Sequence, residues 1–159
     1  MDLTGTIPSQ LGNLSFLGWL DIHDNNFHGS FPIELTNLHR MKYLNFGDNN
    51  FSGEIPSWLG CFTKLQNLSF YLNNFIGVNL SASDNLSKLK KLSLSGNQII
   101  GRISNSLFKC KELKFLSLYN NSLVGNMPTD IGNFILLDTL YRNDNHLKGK
   151  QFLVIVSLI

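Results

Sequence analysis

Hydrophobic positions in this chain recur in short alternating runs rather than along helical faces. Leu44 and Phe46 flank polar Asn45, the pattern of a half-buried strand. The pair returns as Leu20 and Ile22, Leu68 and Phe70, Leu92 and Leu94, and Leu116 and Leu118. Further along each unit comes one apolar residue (Phe27, Phe51, Phe75, Ile99, Leu123, Leu147), then a glycine (Gly29, Gly53, Gly77, Gly101, Gly125, Gly149), with Gly5 an earlier member. A glycine at a fixed turn position predicts positive φ or a close backbone approach. Ile7-Pro8, Phe31-Pro32, Ile55-Pro56 and Met127-Pro128 predict extended backbone, because proline fixes φ and turns its predecessor away from helix. Between units, spacings such as Leu11, Leu14 and Leu17 predict short helical or 3₁₀ turns.

Asparagine marks the beat: Asn25, Asn49, Asn73, Asn97, Asn121 and Asn145 fall 24 residues apart. Each stands where the chain leaves a strand, and its amide is expected to bond backbone groups of its own coil and the next. A buried backbone group left unpaired costs about 1–3 kcal/mol. One unit buries too few apolar side chains to stand alone, at about 1.5–3 kcal/mol for each fully buried one, so stability must come from stacking neighbours.

This period with this leucine and asparagine pattern is the signature of a leucine-rich repeat. The skeleton from Met41 to Pro56, L-x-x-L-x-L-x-x-N-x-F-x-G-x-I-P, together with L-G-N-L-x-x-L from Leu11 to Leu17, resembles the plant-type repeat. Leu11 to Leu17 and Ile55 to Trp58 further resemble the ectodomains of plant leucine-rich-repeat receptor-like kinases, in the group containing receptors for bacterial elicitors. The resemblance runs from Leu3 to Gly149. It implies an α/β, right-handed solenoid, with a parallel β-sheet on the concave face and 3₁₀ or short helical turns on the convex face. An uncapped repeat domain of about six repeats would fill 1–149, and an apolar non-repeat tail 150–159. The implied function is non-catalytic recognition of a peptide or protein ligand, with a co-receptor as a further partner, at the extracellular face of the plasma membrane. Two alternatives stand beside it: a secreted inhibitor of pathogen wall-degrading enzymes, and a truncated paralogue that pairs its open ends edge to edge.

Departures from the repeat carry their own expectations. Met1 stands where a ladder asparagine belongs, and no apolar leader segment follows it, as in a truncated gene, a partial sequence or an alternative start. Val78 to Asp84 keeps the period without Ile-Pro, predicting a looser convex side, and Arg102-Ile103-Ser104 also lacks the proline. Arg142 takes the slot of Ile22 and Leu118, where a charged head must reach out of an open end. The tail from Gln151 to Ile159 is too short to span a membrane, and is read as an edge-capping strand or a sticky remnant.

Composition narrows the function classes. Apolar content of 43% and charge of 15% fit a folded chain, and a formal net charge of +2 gives no argument for nucleic acid or an anionic membrane. No uninterrupted run of apolar residues is long enough to cross a bilayer. Cys61 and Cys110 lie two coils apart, about 10 Å, beyond the roughly 7 Å limit for a disulfide. Both are expected as free, small, buried side chains. His23, His28, His39 and His146 share no ligand spacing with them, so no metal is expected. Kinase loops, a nucleophile elbow and a metalloprotease helix are all missing from the sequence, which predicts neither enzyme nor cofactor.

Binding is therefore expected on the concave face, where outward strand positions stack in columns. These read Trp19, Tyr43, Asn67, Lys91, Phe115, Thr139; then Asp21, Asn45, Ser69, Ser93, Ser117, Tyr141; then His23, Gly47, Tyr71, Ser95, Tyr119, Asn143. Trp19, Asp21, His23, Tyr43, Asn45, Tyr71, Phe115 and Tyr119 are the candidate ligand contacts, since exposed Trp and Tyr anchor protein interfaces. Asp24 and Asp48 add negative charge near the N-terminal end. Lys88, Lys90, Lys91, Lys109, Lys111 and Lys114 make the second half basic, as a solvated face or a docking spot for an acidic partner. Glycosylation sequons begin at Asn13, Asn50, Asn67, Asn79, Asn85 and Asn120. Asn67 and Asn120 fall on or beside the concave strands, where a glycan would obstruct binding, and are expected to stay unmodified or to mark a face not used.

Overall fold

A computed structural model describes residues 2–78 and 85–148. The concave sheet is parallel and six-stranded: β2 (Trp19–Asp21), β4 (Tyr43–Asn45), β6 (Asn67–Ser69), β8 (Lys91–Ser93), β10 (Phe115–Ser117) and β12 (Thr139–Tyr141) lie side by side in chain order. Trp19 pairs with Tyr43, Tyr43 with Asn67, Asn67 with Lys91, Lys91 with Phe115, and Phe115 with Thr139. The outward columns are thus in register. Turns of 3₁₀ helix at Ser9–Asn13, Ile33–Asn37, Ser57–Cys61, Asn105–Lys109 and Thr129–Asn133 form the convex side.

A second set of parallel strands, not anticipated from the sequence, follows the ladder asparagines. It comprises β1 (Thr4–Gly5), β3 (Asn26–Gly29), β5 (Asn50–Ile55) and β7 (Asn74–Val78), then β9 (Ile100–Gly101), β11 (Ser122–Asn126) and β13 (His146–Lys148). Among the described residues this second sheet is in two parts, divided between β7 and β9. The segment expected to loosen lies at that division, but its residues 79–84 are outside those described, as are 149–159 and with them the tail. Gly5, Gly29, Gly53, Gly101 and Gly125 have positive φ. Gly77 does not, and it pairs with Glu54 across a register shift.

The core is a column of leucines and a cluster of rings. Leu44, Leu68, Leu92 and Leu116 stack along the inner face of the concave sheet, each buried. Phe31 takes an isoleucine slot and reaches Phe46 and Phe51 at 4.8 Å and Phe70 at 5.6 Å between ring centroids. Such aromatic pairs add about 0.5–1.5 kcal/mol beyond their buried area. Coverage decides burial along the stack. Leu38 and Phe62 are 1% exposed, whereas Leu14, in the same phase of the first coil, is 53% exposed with no described coil over it. Cys110 shares that phase and is buried, while Cys61 falls in the phase of Asn13 and Asn133 and is exposed. This corrects the expectation that both thiols are buried; the two are not joined in a disulfide.

The asparagine ladder runs opposite to the expected direction. Asn73 Nδ2 donates to Phe70 O and Tyr71 O of its own coil, and to Phe46 O of the preceding coil at 3.0 Å. Its Oδ1 accepts from Phe51 N, also in the preceding coil, at 2.9 Å. Asn49, Asn97 and Asn121 repeat the pattern. The residue before each ladder asparagine is left-handed in all six coils: Asp24, Asp48, Leu72, Gly96, Asn120 and Asp144. Asp, Asn and Gly tolerate this backbone well, and Leu72 is the outlier. Arg142 is half-buried in its leucine slot.

Candidate functional site

The first three concave strands bring most of the sequence-predicted contacts together. Trp19 and Tyr43 stack face to face across β2 and β4, with ring centroids 3.7 Å apart and planes 3° from parallel. Trp19 remains 61% exposed, so the pair presents an aromatic wall. Asp21, one strand position on, sits against His23, with Oδ1 2.6 Å from Nδ1, and accepts from Tyr43 Oη at 3.4 Å. Tyr71 leans back over the preceding coil, so that its ring fills the space above Gly47. Glycine is required there by that ring rather than by its backbone, since Gly47 does not have positive φ.

Asn45 behaves differently from the expected exposed contact. It is buried, and its Oδ1 accepts from Gly47 N at 3.2 Å. Its carboxamide also lies near Asp21 and Tyr43 and favours the ionised form of each. Asn45 therefore positions the residues around it rather than reaching outward. Phe115 and Tyr119 do not join the cluster. Phe115 lies in the C-terminal half under Lys91, whose Nζ is 4.9 Å from the ring centre, with Tyr141 5.8 Å away. Tyr119 is exposed beside that second patch.

Electrostatics distinguish the first cluster. Burial raises the Asp21 pKa, but the hydrogen bonds from the side chain and backbone of His23 outweigh it and hold the carboxyl below its usual value. Burial, and then the charge of Asp21, raise the Tyr43 phenol. Burial also raises Tyr71, followed by the charges of Asp48, Asp21 and Asp24. Three carboxylates thus border an aromatic surface on which both phenols stay protonated. Asp48, Asp24 and the exposed Leu72 belong to this surface although they were not among the candidate contacts. Their left-handed column of Asp, Asn and Gly was the available signal.

The sequons divide by position. Asn13 and Asn85 are exposed on convex turns, and Asn50 is exposed on β5, where it accepts from Asn74 Nδ2. Asn67 is half-buried on β6, Asn120 is exposed and left-handed, and Asn79 lies outside the described residues. Among the described residues no group of His, Cys, Asp and Glu is arranged to hold a metal ion. No helix among them is long and apolar enough to cross a membrane.

The family model of the leucine-rich repeat matches residues 16–38, 40–62, 88–110 and 112–134, more than half of the chain. Solved structures similar to it include a TDR receptor, 35% identical over 92% of this chain and 25% of that one, with a TM-score of 0.88. The PEPR1–AtPEP1 complex is 33% identical over 92% and 21%, with a TM-score of 0.87. The Arabidopsis receptor kinase HAESA, in complex with the peptide hormone IDA and the co-receptor SERK1, is 33% identical over 92% and 24%, with a TM-score of 0.87. The chain thus spans about a quarter of the length of these receptors or less. No curated relative matches it. The resemblance in Leu11 to Leu17 and Ile55 to Trp58 is to the same class of plant receptor. With its repeat units matched over most of their length and its coils stacked as theirs are, the chain belongs to the leucine-rich-repeat family.

Proposed function

We propose that this chain is a recognition segment of a plant receptor ectodomain, taking a peptide or protein ligand on the N-terminal half of its concave face. The observation that carries this is the contiguous surface of Trp19, Tyr43 and Tyr71 bordered by Asp21, Asp24 and Asp48. Aromatic side chains beside hydrogen-bonding groups are the usual anchors of a protein interface. Support comes from the likeness to HAESA and PEPR1, whose structures hold peptide ligands and, for HAESA, a co-receptor. On this reading the segment faces the cell exterior, and a co-receptor is a second partner. The inhibitor alternative is not favoured by any of these likenesses.

The test is binding of the purified chain to a panel of synthetic secreted plant peptides. At least one should bind, and Tyr43→Ala with Tyr71→Ala should weaken it by about tenfold or more, the scale of an interface hot spot. Affinity unchanged by the double substitution rejects the assignment to this face. Suppression of a polygalacturonase by the chain would move the reading to the inhibitor class.

A further inference from the structure

The opposite rim of the concave sheet, at the N-terminal ends of the strands, carries the other sign of charge. Lys42, Gln66, Lys90 and Lys114 follow one another up the coils, joined by backbone hydrogen bonds of 2.8 Å from Gln66 N to Lys42 O, Lys90 N to Gln66 O and Lys114 N to Lys90 O. Two residues earlier in each coil runs a parallel column of Phe16, Arg40, Lys64 and Lys88. Arg40 lies over the Phe16 ring at 4.6 Å, and Lys88 is bonded to Glu112 at 2.6 Å. Arg40, Lys42, Lys64, Lys90 and Lys114 are all exposed, and none forms a salt bridge with a carboxylate among the described residues.

These five cations fall within four successive coils, roughly 15 Å at the spacing of neighbouring strands. Neighbours in the array are closer than a Debye length of about 8–10 Å, so their fields reinforce one another. Lys42 and Asp48 are separated by up to about 20 Å of extended chain. The acidic border and the cationic rim thus lie toward opposite ends of the concave strands. Glu112, whose carboxyl the nearby Lys88 and Lys90 hold low, and Asp138, beside Lys114, supply negative charge at the far end of the rim, and Arg40, Lys42 and Lys64 remain for a partner to meet.

We infer that this rim docks an acidic stretch of polypeptide laid across the coils. Its carboxylates would meet Arg40, Lys42 and Lys64, and an apolar side chain would rest in the recess lined by Phe16, Trp19 and Tyr43. Phe16 is 78% exposed at the same end of the rim. A polypeptide can supply both the carboxylates and the apolar group that this pairing of rings with cations asks for. The inference rests on reading the chain as a recognition segment; it shares Trp19 and Tyr43 with the proposed face but uses neither Tyr71 nor the three carboxylates.

The experiment measures binding of a fluorescent oligoglutamate peptide bearing one leucine, with oligogalacturonate as the competing polyanion. Lys42→Glu with Lys64→Glu should weaken peptide binding by at least about tenfold, as loss of close charge complementarity does. Lys111→Glu with Lys148→Glu makes the same change in net charge elsewhere and should alter it by less than about twofold. Equal losses in the two pairs would reduce the rim to general attraction and overturn the inference. So would tighter binding of oligogalacturonate, or no binding at low salt. Tyr71→Ala should leave oligoglutamate binding intact. If it does so while no secreted peptide binds the concave face, the rim stands and the proposed face falls; the reverse pattern removes the rim alone.

Discussion

Tyr71 occupies the space that a side chain on Gly47 would need: a Cβ there would lie 2.0 Å from Tyr71 Cε1. The contact joins adjacent coils and holds the phenol flat over the preceding strand. Gly47→Ala introduces no backbone strain, because φ at that position is not left-handed. The ring must swing away instead. The expected stability cost is about 1–3 kcal/mol, as for overpacking a buried position. The ring-current shift on the Gly47 amide should nevertheless disappear from the NMR spectrum, and any ligand of this face should weaken as with Tyr71→Ala. An unmoved ring would show that the contact does not set the orientation of Tyr71.

Leu72, next in the chain, is half exposed at φ 49° where other coils place Asp, Asn or Gly. A left-handed residue with an ordinary side chain costs roughly 1–2 kcal/mol. Leu72→Asn should therefore raise stability by about 1 kcal/mol in urea denaturation. If Leu72 contacts ligand, the same variant loses affinity while gaining stability, a trade that pure surface packing does not produce.

Asn73→Ala removes three donated bonds and one accepted bond in a buried setting. Phe51 N and Phe46 O lose a partner inside the fold, at about 1–3 kcal/mol for each orphaned group. A loss of roughly 3 kcal/mol is expected by denaturant titration. Asn25→Ala, at the exposed end of the ladder, should cost about 1 kcal/mol or less because water replaces the lost partners. Similar losses at both positions would contradict a role for burial.

The Asp21–His23 pair gives a pH test with a fixed sign. The folded-state pKa of Asp21 is depressed, so its stabilising contribution is present above the unfolded value of about 3.9. It is lost as pH falls through the lower, folded midpoint. Carboxyl NMR titration should place that midpoint below the ordinary carboxylate range, and His23→Ala should raise it. A midpoint that His23→Ala leaves in place would mean that the contact at 2.6 Å does not bind the carboxylate in solution.

Gly12 and Gly132 occupy the same phase of the repeat but different surroundings. A Cβ at Gly12 would approach the backbone oxygen of Glu34 to 2.3 Å, whereas one at Gly132 meets nothing within 4 Å among the described residues. Gly12→Ala should cost about 1–3 kcal/mol through forced backbone movement, and Gly132→Ala should be close to neutral. Equal melting temperatures for the two would refute the close approach between the first two convex turns.

The repeat made the fold legible, because a leucine column and a turn asparagine each answer to one period. What the period could not show is contact between coils. Asn45 occupies an outward strand position, yet it is buried beside Asp21 of the neighbouring strand and its side chain accepts from Gly47 N. The lean of Tyr71 over Gly47 likewise depends on two residues of different coils. Cys61 was readable and misread: its phase mates Asn13 and Asn133 are polar, and it follows them into solvent rather than following its own chemistry. The second sheet escaped notice because its strands are short and carry glycine, and their pairing is visible only when coils are stacked.

The direction of the asparagine ladder gives the solenoid a polarity in time. The amide of Phe27 finds its acceptor only when Asn49 arrives, and that of Phe51 only when Asn73 does. Each coil is thus completed by the one synthesised after it. If the coils form in the order of their synthesis, each interior turn is left with one edge open until the next coil arrives. In that order the growing edge exposes one turn's unpaired groups at a time, whereas a denatured chain starts with every turn open.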